Sequence, residues 1–455
     1  MNSKRFFDPQ LLEKYNTNGP RYTSYPTALS FNESFYNDDL IKAVKTSPNT
    51  DLSLYIHIPF CHSLCYYCGC NKIVTRHPEK SDDYMFYLIG EITQRQKLFK
   101  KHVVRQIHLG GGTPSFLSKQ QLSNLMAVLK SHFVLSQDVE IGIEIDPRNL
   151  TLDYIDHLAN IGFNRLSIGV QDIDPQVQKA INRVQSTELI EQIVNQANKI
   201  GFRSVNLDLI YGLPHQTPER FERTLDKVIQ MGVQRISLFS YAHLPERFPA
   251  QRKLRYEWLP NAAQKLALMK LAIERFLDAG YMMIGMDHFA KPNDELALAQ
   301  KRHQLHRNFQ GYTTHANCDL LGFGVSAISN IGDCYSQNYK QLADYYQALN
   351  ESDNAVHKGV KLNLDDQIRG FVISQLMCNF QVDKSQVENL YDIHFDSYFQ
   401  QSLRSLQPFV DDNLVEVDAL QIKVKNKARL LIRNICMSFD GYIKNQHIHR
   451  YSTVI

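Results

Sequence analysis

The chain has 455 residues, 43% of them hydrophobic and 21% charged, which excludes a disordered or fibrous protein and provides enough apolar residues for a large core. Lysine and arginine number 50 against 47 aspartate and glutamate, a net charge of +3, so no global field recommends a nucleic acid or an anionic membrane, and any anionic ligand must be met by local arginines. The start, Met1 to Pro9, carries no apolar core of signal-peptide length, and no apolar run approaches the roughly 18 residues of a membrane span, so a cytoplasmic protein with no membrane partner is expected.

Residues 1–50 read as an arm. A short helix near 9–14 precedes Pro20-Arg21-Tyr22-Thr23-Ser24-Tyr25-Pro26-Thr27, where the prolines fix φ and restrict the residue before them, so the segment runs extended across another surface. From 52 onward a strand-then-helix unit repeats. Apolar or alternating runs predict strands at 52–58, 105–109, 139–145, 165–170, 204–210 and 235–241, and the 3.6-residue spacing predicts helices at 81–99, 118–133, 151–161, 186–200 and 217–231. Six such units predict a parallel sheet, and periodicity alone does not choose between an open sheet and a partial barrel. A helix at 260–279 follows, and the stretches 281–290, 306–314 and 320–328 read as lid and closing elements. Beyond about 362, helices at 364–378, 384–390, 395–406 and 428–436 surround a hairpin of 414–417 with 422–424. This resembles a winged-helix module without the basic stripe of a DNA binder. The expected division is an arm over 1–50 that covers the active site, a barrel with closing segments over 51–330, and a C-terminal domain over 331–455.

The chemistry is concentrated after the first strand. In Tyr55-Ile56-His57-Ile58-Pro59-Phe60-Cys61-His62-Ser63-Leu64-Cys65-Tyr66-Tyr67-Cys68-Gly69-Cys70-Asn71, three cysteines stand as C-x3-C-x2-C. One short loop brings three thiolates to a common point and leaves the fourth corner of an iron-sulfur cube without a cysteine. The same thiols with Cys70, His57 or His62 have the composition of a closed zinc site, although structural zinc usually draws two ligand pairs from separated segments. A disulfide is a further alternative, set against the rarity of disulfides in the cytosol. Cys318, Cys334, Cys378 and Cys436 are scattered and read as small buried hydrophobes.

Ligands of parallel α/β folds gather at the C-terminal ends of the strands. There the second strand runs into Gly110-Gly111-Gly112-Thr113-Pro114, the third reaches Glu144 and Asp146, the fourth Gln171 and Asp172, and the fifth carries Asp208. The glycine turn either binds an anion or serves tight geometry. Glu144 is either an acceptor for ribose hydroxyls or a surface carboxylate. Arg183 is either a partner for a carboxylate or a solvated charge.

The cysteine loop, followed by a strand and a glycine turn, resembles the radical S-adenosylmethionine (SAM) superfamily. With Pro20 to Ala28, the loop through Asn71, Gly110 to Ser115 and His306-Arg307-Asn308-Phe309-Gln310-Gly311-Tyr312-Thr313-Thr314, the chain looks like the oxygen-independent coproporphyrinogen III oxidase family. That resemblance implies an α/β fold, a partial (β/α)6 TIM-like barrel with an N-terminal arm and a mainly α-helical C-terminal domain. It implies a [4Fe-4S] cluster on Cys61, Cys65 and Cys68, with SAM lined by Tyr55, Gly111, Glu144 and Ile328. A second SAM site would correspond to Tyr67, Gly112, Thr113, Gln171, Arg183, Asp208 and Ala242. Cys70, beside Cys68 but outside the ligand set, is singled out with Tyr55 and His57 as a candidate for catalysis.

The reaction implied converts two propionates of coproporphyrinogen III to vinyl groups with loss of carbon dioxide, giving protoporphyrinogen IX in haem biosynthesis. Taking a hydrogen from the β-carbon of a propionate needs a carbon radical, because no base of ordinary pKa removes that proton. Four substrate carboxylates ask for guanidinium groups around an aromatic cavity, for which Arg21, Tyr22 and Tyr25 of the arm and Arg307, Phe309 and Gln310 are the candidates. A one-electron donor such as flavodoxin or ferredoxin is implied, and a monomer is expected. The alternative is a radical-SAM-like haem chaperone, which shares the cysteine loop and glycine turn and is set apart by the arm, Cys70, Arg183 and Asp208.

Overall fold

A computed structural model describes residues 7–316 and 318–443. Residues 1–6 of the expected arm, and Asn317 and residues 444–455 of the expected C-terminal domain, lie outside the described residues. The chain groups into two compact units, one of residues 31–268 and 317–361, the other of 1–30, 269–316 and 362–455. The units therefore cut the chain at 30, 268, 316 and 361, where the sequence reading divides it at 50 and 330.

In the first unit, strands β1 (Asp51–Ile58), β2 (Val103–Gly111), β3 (Val134–Ile145), β4 (Arg165–Gln171), β5 (Ser204–Tyr211) and β6 (Arg235–Ser240) pair in sequence order, every pair parallel. Between them run α1 (Lys80–Arg95), α2 (Lys119–His132), α3 (Leu152–Ile161), α4 (Thr187–Ile200) and α5 (Pro218–Gln230). Sequential order decides what periodicity left open. A doubly wound sheet reverses its strand order at a switch point, whereas right-handed crossovers that always advance by one strand keep the helices on one side and curl the sheet. The strand at the heart of this sheet is β1, whose Leu52, Leu54, Ile56 and Ile58 are fully buried on one face while Ser53 and His57 are buried on the other, as a strand covered on both faces requires. The helices follow the same logic. In α4, Ile190, Ile193, Val194 and Ala197 recur at helical spacing and are buried, Ser186 accepts from the Leu189 amide at 3.1 Å, and Gly201 ends the helix with φ 91°.

Two features depart from the sequence reading. β3 begins at Val134 rather than 139, because pairing of Val103 with Val134 and of Val104 with Leu135 carries a half-exposed stretch that has no apolar alternation. The segment 320–328, expected as a closing element, belongs in part to the sheet itself. Strand β7 (Cys318–Phe323) lies parallel to the free side of β1 in the register Leu54 to Leu321, and β8 (Ile328–Ile331), β9 (Cys334–Asn338) and β10 (Val356–Lys361) add to it antiparallel. β1 thus meets β7 and not β6, so the curled sheet is a partial barrel. A helix at Asn37–Thr46, which the sequence reading did not see, groups with this unit.

The second unit is mainly helical. Leu364–Asn379, Lys384–Tyr391, Phe395–Tyr398 and Gln400–Asp411 are helices, and Gln381–Asp383 adds a third strand to the hairpin of Val415–Val417 with Gln421–Val424. The arm lies against this unit's C-terminal residues. Arg433 donates to the Pro20 carbonyl at 2.8 Å and to that of Gly19, Asn434 donates to the Tyr15 carbonyl at 2.8 Å, and the Tyr15 ring stacks on Phe409 at 4.5 Å.

Candidate active site

The cysteine loop is held at both ends. After β1, Phe60–Cys61 pairs in parallel with Ile73–Val74, and the Ile73 amide donates to the Pro59 carbonyl at 2.7 Å, so residues 62–72 form one closed excursion. Midway, the Tyr66 amide donates to the Ile181 carbonyl at 3.0 Å and Asn182 Nδ2 to the Leu64 carbonyl at 2.8 Å, fastening the loop to the residues after β4. Cys61 and Cys65 are buried, Cys68 is half-buried and Cys70 is exposed.

A cavity of about 230 Å³ opens above the C-terminal ends of the strands. Of the sequence candidates it brings together Cys61, Cys65, Cys68, Cys70, Tyr67, Gly111, Gly112, Thr113, Glu144, Gln171, Arg183 and Asp208. Each strand delivers its group by ending there. The glycine turn presses directly on the loop. Gly111 has φ 116°, and a Cβ on Gly112 would stand 2.6 Å from the Pro59 carbonyl oxygen and 2.9 Å from that of Phe60, both backbone atoms that cannot swing aside. Thr113 Oγ1 then sits 3.3 Å from Cys61 Sγ. Gln171 has φ 65°, a left-handed conformation that is costly for a side chain with a Cβ and concentrates at functional sites. Asp208 accepts from Ser167 Oγ at 3.1 Å and Asn206 Nδ2 at 2.8 Å, and Glu144 Oε1 lies 3.2 Å from His108 Nε2.

Sequence reasoning missed the charge network at the back of this cavity. Asp146 binds Arg148 through Nη2 at 2.5 Å and Arg183 through Nη1 at 3.1 Å, and each of those guanidiniums also reaches Cys65 Sγ at 3.5 Å. Burial works against the Asp146 carboxylate, but Arg183 and Arg148 hold its pKa below the ordinary range. Arg183 donates further to the Gly169 carbonyl at 2.6 Å, and its buried Nε has no hydrogen-bond partner among the described residues. The thiols differ among themselves. Burial pushes Cys61 up to about 11, whereas the hydrogen bond from Cys70 and the Lys72 ammonium, which donates to the Cys68 carbonyl at 2.9 Å, bring Cys68 down to about 6.

Four of the cluster, SAM and catalytic candidates are not on the cavity wall. Tyr55 and His57 share one side of β1. His57 Nε2 faces the Asn71 carbonyl at 3.1 Å and must carry the proton there, which leaves Nδ1 to accept from the Tyr55 hydroxyl at 3.2 Å. Ala242 offers its carbonyl to Gln251, which also binds the Tyr67 carbonyl, and Ile328 pairs with Gln337 in the sheet.

The expected substrate residues fall in the second unit. Arg307 lies opposite Tyr312 in the hairpin His306–Asn308 with Gly311–Thr313, its guanidinium 5.2 Å from the Tyr312 ring and its Nη1 donating to the Arg21 carbonyl at 3.2 Å. Arg21 approaches Asp287 at 3.7 Å, and Tyr22, with φ 48°, donates its hydroxyl to Asp440 at 2.9 Å. Against burial, His288, Arg307 and Arg21 hold Asp287 well below the usual carboxylate range. Arg307 Nε, both amide atoms of Gln310 and the Tyr312 hydroxyl are buried without hydrogen-bond partners among the described residues, while Phe309 occupies the hairpin turn beside Gln310. Asp287 and Tyr312 were visible in the sequence only as parts of presumed lid segments.

The Radical SAM superfamily matches residues 55–228, and the HemN C-terminal domain matches residues 362–431. The chain is 52% identical to an oxygen-independent coproporphyrinogen III oxidase of Escherichia coli (strain K12) over 99% of this chain and 98% of that one, and 47% identical to one of Pseudomonas aeruginosa over 99% of both. The solved structure titled as coproporphyrinogen III oxidase (HemN) from Escherichia coli, a radical SAM enzyme, superposes with a TM-score of 0.94 and covers 96% of this chain and 100% of that one. The chain belongs to the oxygen-independent coproporphyrinogen III oxidase family.

Membership of this radical SAM family brings with it a [4Fe-4S] cluster and SAM, and the residues present fit them. Among the described residues no group of three or more His, Cys, Asp or Glu converges tightly enough for a single metal ion. Three free thiols spread along one cavity wall, each able to take a different iron, suit a multi-iron cluster. In this oxidase family member the glycine turn has no room for one added methyl group. Gly112→Ala is expected to lose iron and to unfold more readily, by about 1–3 kcal/mol for an overpacked contact, because Pro59 and Phe60 must retreat and carry Cys61 with them. Iron content and the thermal midpoint of the variant check this.

Proposed function

We propose that the protein carries out the oxygen-independent oxidative decarboxylation of two propionates of coproporphyrinogen III, forming protoporphyrinogen IX. The observation that carries this reading is the loop of Cys61, Cys65 and Cys68 facing the Gly111–Gly112 turn across one cavity, in a chain that shares 52% identity with a named enzyme over its whole length. When bound, the cluster supplies the electron that splits SAM into methionine and the radical that takes the propionate β-hydrogen.

The chain's own residues do the rest. Glu144, steadied by His108, accepts from ribose hydroxyls of one SAM, and Gly111 lets the cofactor lie against backbone. Arg183, Asp208 and Gln171 hold a second SAM: the unpartnered Nε of Arg183 and the fixed carboxylate of Asp208 match the carboxylate and amine of a methionine group. Arg307, Gln310 and Tyr312 present buried donors without partners, which suits a carboxylate of the tetrapyrrole. Tyr22, fastened to Asp440, and Arg21, near Asp287, keep the arm in place for the same ligand. All eight cysteines are unpaired, in keeping with the reducing cytosol, and no helix among the described residues is long and apolar enough to cross a membrane.

Anaerobic incubation with coproporphyrinogen III, SAM and a reductant is expected to yield protoporphyrinogen IX, methionine and 5'-deoxyadenosine. Tight haem binding with no vinyl product would replace this reading by that of a haem chaperone.

A further inference from the structure

On the reading above, we infer that Arg247, Lys340 and Lys358 form the docking face for an acidic one-electron carrier protein that reduces the cluster on Cys61, Cys65 and Cys68. The three cations come from different parts of the first unit and meet beside the cysteine loop. Asn71, directly after Cys70, donates Nδ2 to the Lys340 carbonyl at 3.1 Å, which sets Lys340 at the end of the loop. Arg247 stands over the ring of Phe248 at 5.5 Å, and that ring lies against Gly69, where a Cβ would be only 2.9 Å from it. The same aromatic ring therefore touches Arg247 and the residue between Cys68 and Cys70.

These charges are left without partners of opposite sign. Arg247 and Lys340 are exposed, Lys358 is half-buried, and none of the three pairs with a carboxylate among the described residues. Lys358 stands opposite Gln337 in the β9–β10 pair, three residues before Lys340, and partial burial, then Lys358 and Arg247, lower the pKa of Lys340. Like charges gathered on a surface cost stability unless something of opposite sign covers them. Here they gather where the cysteine loop reaches solvent at Gly69 and Cys70, at the short route for an electron. An acidic carrier fits on both counts, since complementary charge steers it and the Phe248 ring brings it near Cys68. In the encounter the carrier gives up one electron and the cluster gains it, and no bond forms or breaks.

The test compares the anaerobically reconstituted holoenzyme with its Arg247→Glu, Lys340→Glu, Lys358→Glu triple variant, using flavodoxin hydroquinone as the carrier. The expected result is a fall of about tenfold or more in the second-order rate of flavodoxin oxidation at low ionic strength, with matching loss of equilibrium binding of oxidised flavodoxin. Added salt should slow the wild type and leave the variant unchanged. Reduction by a photogenerated, uncharged deazaflavin radical should proceed equally in both. The single variants should each show part of the loss, which keeps the test decisive if the triple variant takes up no cluster. An unchanged flavodoxin rate and salt dependence would overturn the inference. So would an equal loss with deazaflavin, which would mean the cations support the loop. A raised KM for coproporphyrinogen III with a normal flavodoxin rate would also overturn it, since the face would then steer the tetra-acid.

Discussion

A Cys65→Ser variant is expected to purify without the brown [4Fe-4S] chromophore and without SAM cleavage, and Cys61→Ser and Cys68→Ser to behave alike. Three thiolates are the minimum that leaves one iron open for SAM, and a serine hydroxyl is a harder, more basic ligand that does not take the place of sulfur at neutral pH. At Cys65 the loss is compounded, because Arg148 and Arg183 both point to its sulfur at 3.5 Å and would face a site with less negative charge. Cys70→Ser, by contrast, should keep its chromophore, since Cys70 stands exposed at the loop's far end and acts on Cys68 only through a hydrogen bond. Iron and sulfide content with the visible spectrum reads both outcomes. A coloured, SAM-cleaving Cys65→Ser protein would remove Cys65 from the ligand set.

Arg183→Ala is expected to keep the cluster and one SAM per chain while losing the second SAM and vinyl formation. The structure explains why the site should survive the change. Asp146, the main partner of Arg183, retains Arg148, which binds it through both Nε and Nη2, so no carboxylate is left buried alone. What disappears is a cavity-lining guanidinium whose buried Nε has no hydrogen-bond partner among the described residues. Losing one partner of a desolvated ion pair typically costs about 2 to 5 kcal/mol in binding, enough to empty a site at ordinary SAM concentrations. Equilibrium binding of labelled SAM should fall from two per cluster toward one. Two SAM molecules retained with a normal yield of protoporphyrinogen IX would place the second site elsewhere.

The six parallel strands were legible because their apolar residues run or alternate over a strand's length, as Leu52, Leu54, Ile56 and Ile58 do, and each was separated from the next by a helix with 3.6-residue spacing. The cysteines and glycine turn were legible because their spacing is local. What escaped depends on distance along the chain. Nothing near Leu321 announces that it will pair with Leu54, so glycine-containing β7 passed for part of a lid. Asp146 and Arg183 could each be named, but their meeting at Cys65 depends on where β3 ends and how the loop after β4 returns. Tyr55 and His57 were candidates through the resemblance of the cysteine loop, and the structure sets them together on one side of β1, joined by a hydrogen bond, with His57 tied to Asn71 at the loop's end.

The position of β1 sets an order of events on the ribosome. One neighbour, β2, is complete once Gly111 has been made, but the other, β7, ends at Phe323. At synthesis speeds of about 5–20 residues per second, the interval is on the order of tens of seconds. Throughout it, the nascent chain displays a bare edge beside four side chains destined for complete burial, the kind of edge that invites pairing with other chains. The cysteine loop hangs from the end of that same strand. The period in which the newborn protein most needs protection from aggregation is therefore also the one in which its thiols are most accessible to whatever delivers iron and sulfide, and a shortage of delivery would meet the chain in its least protected form.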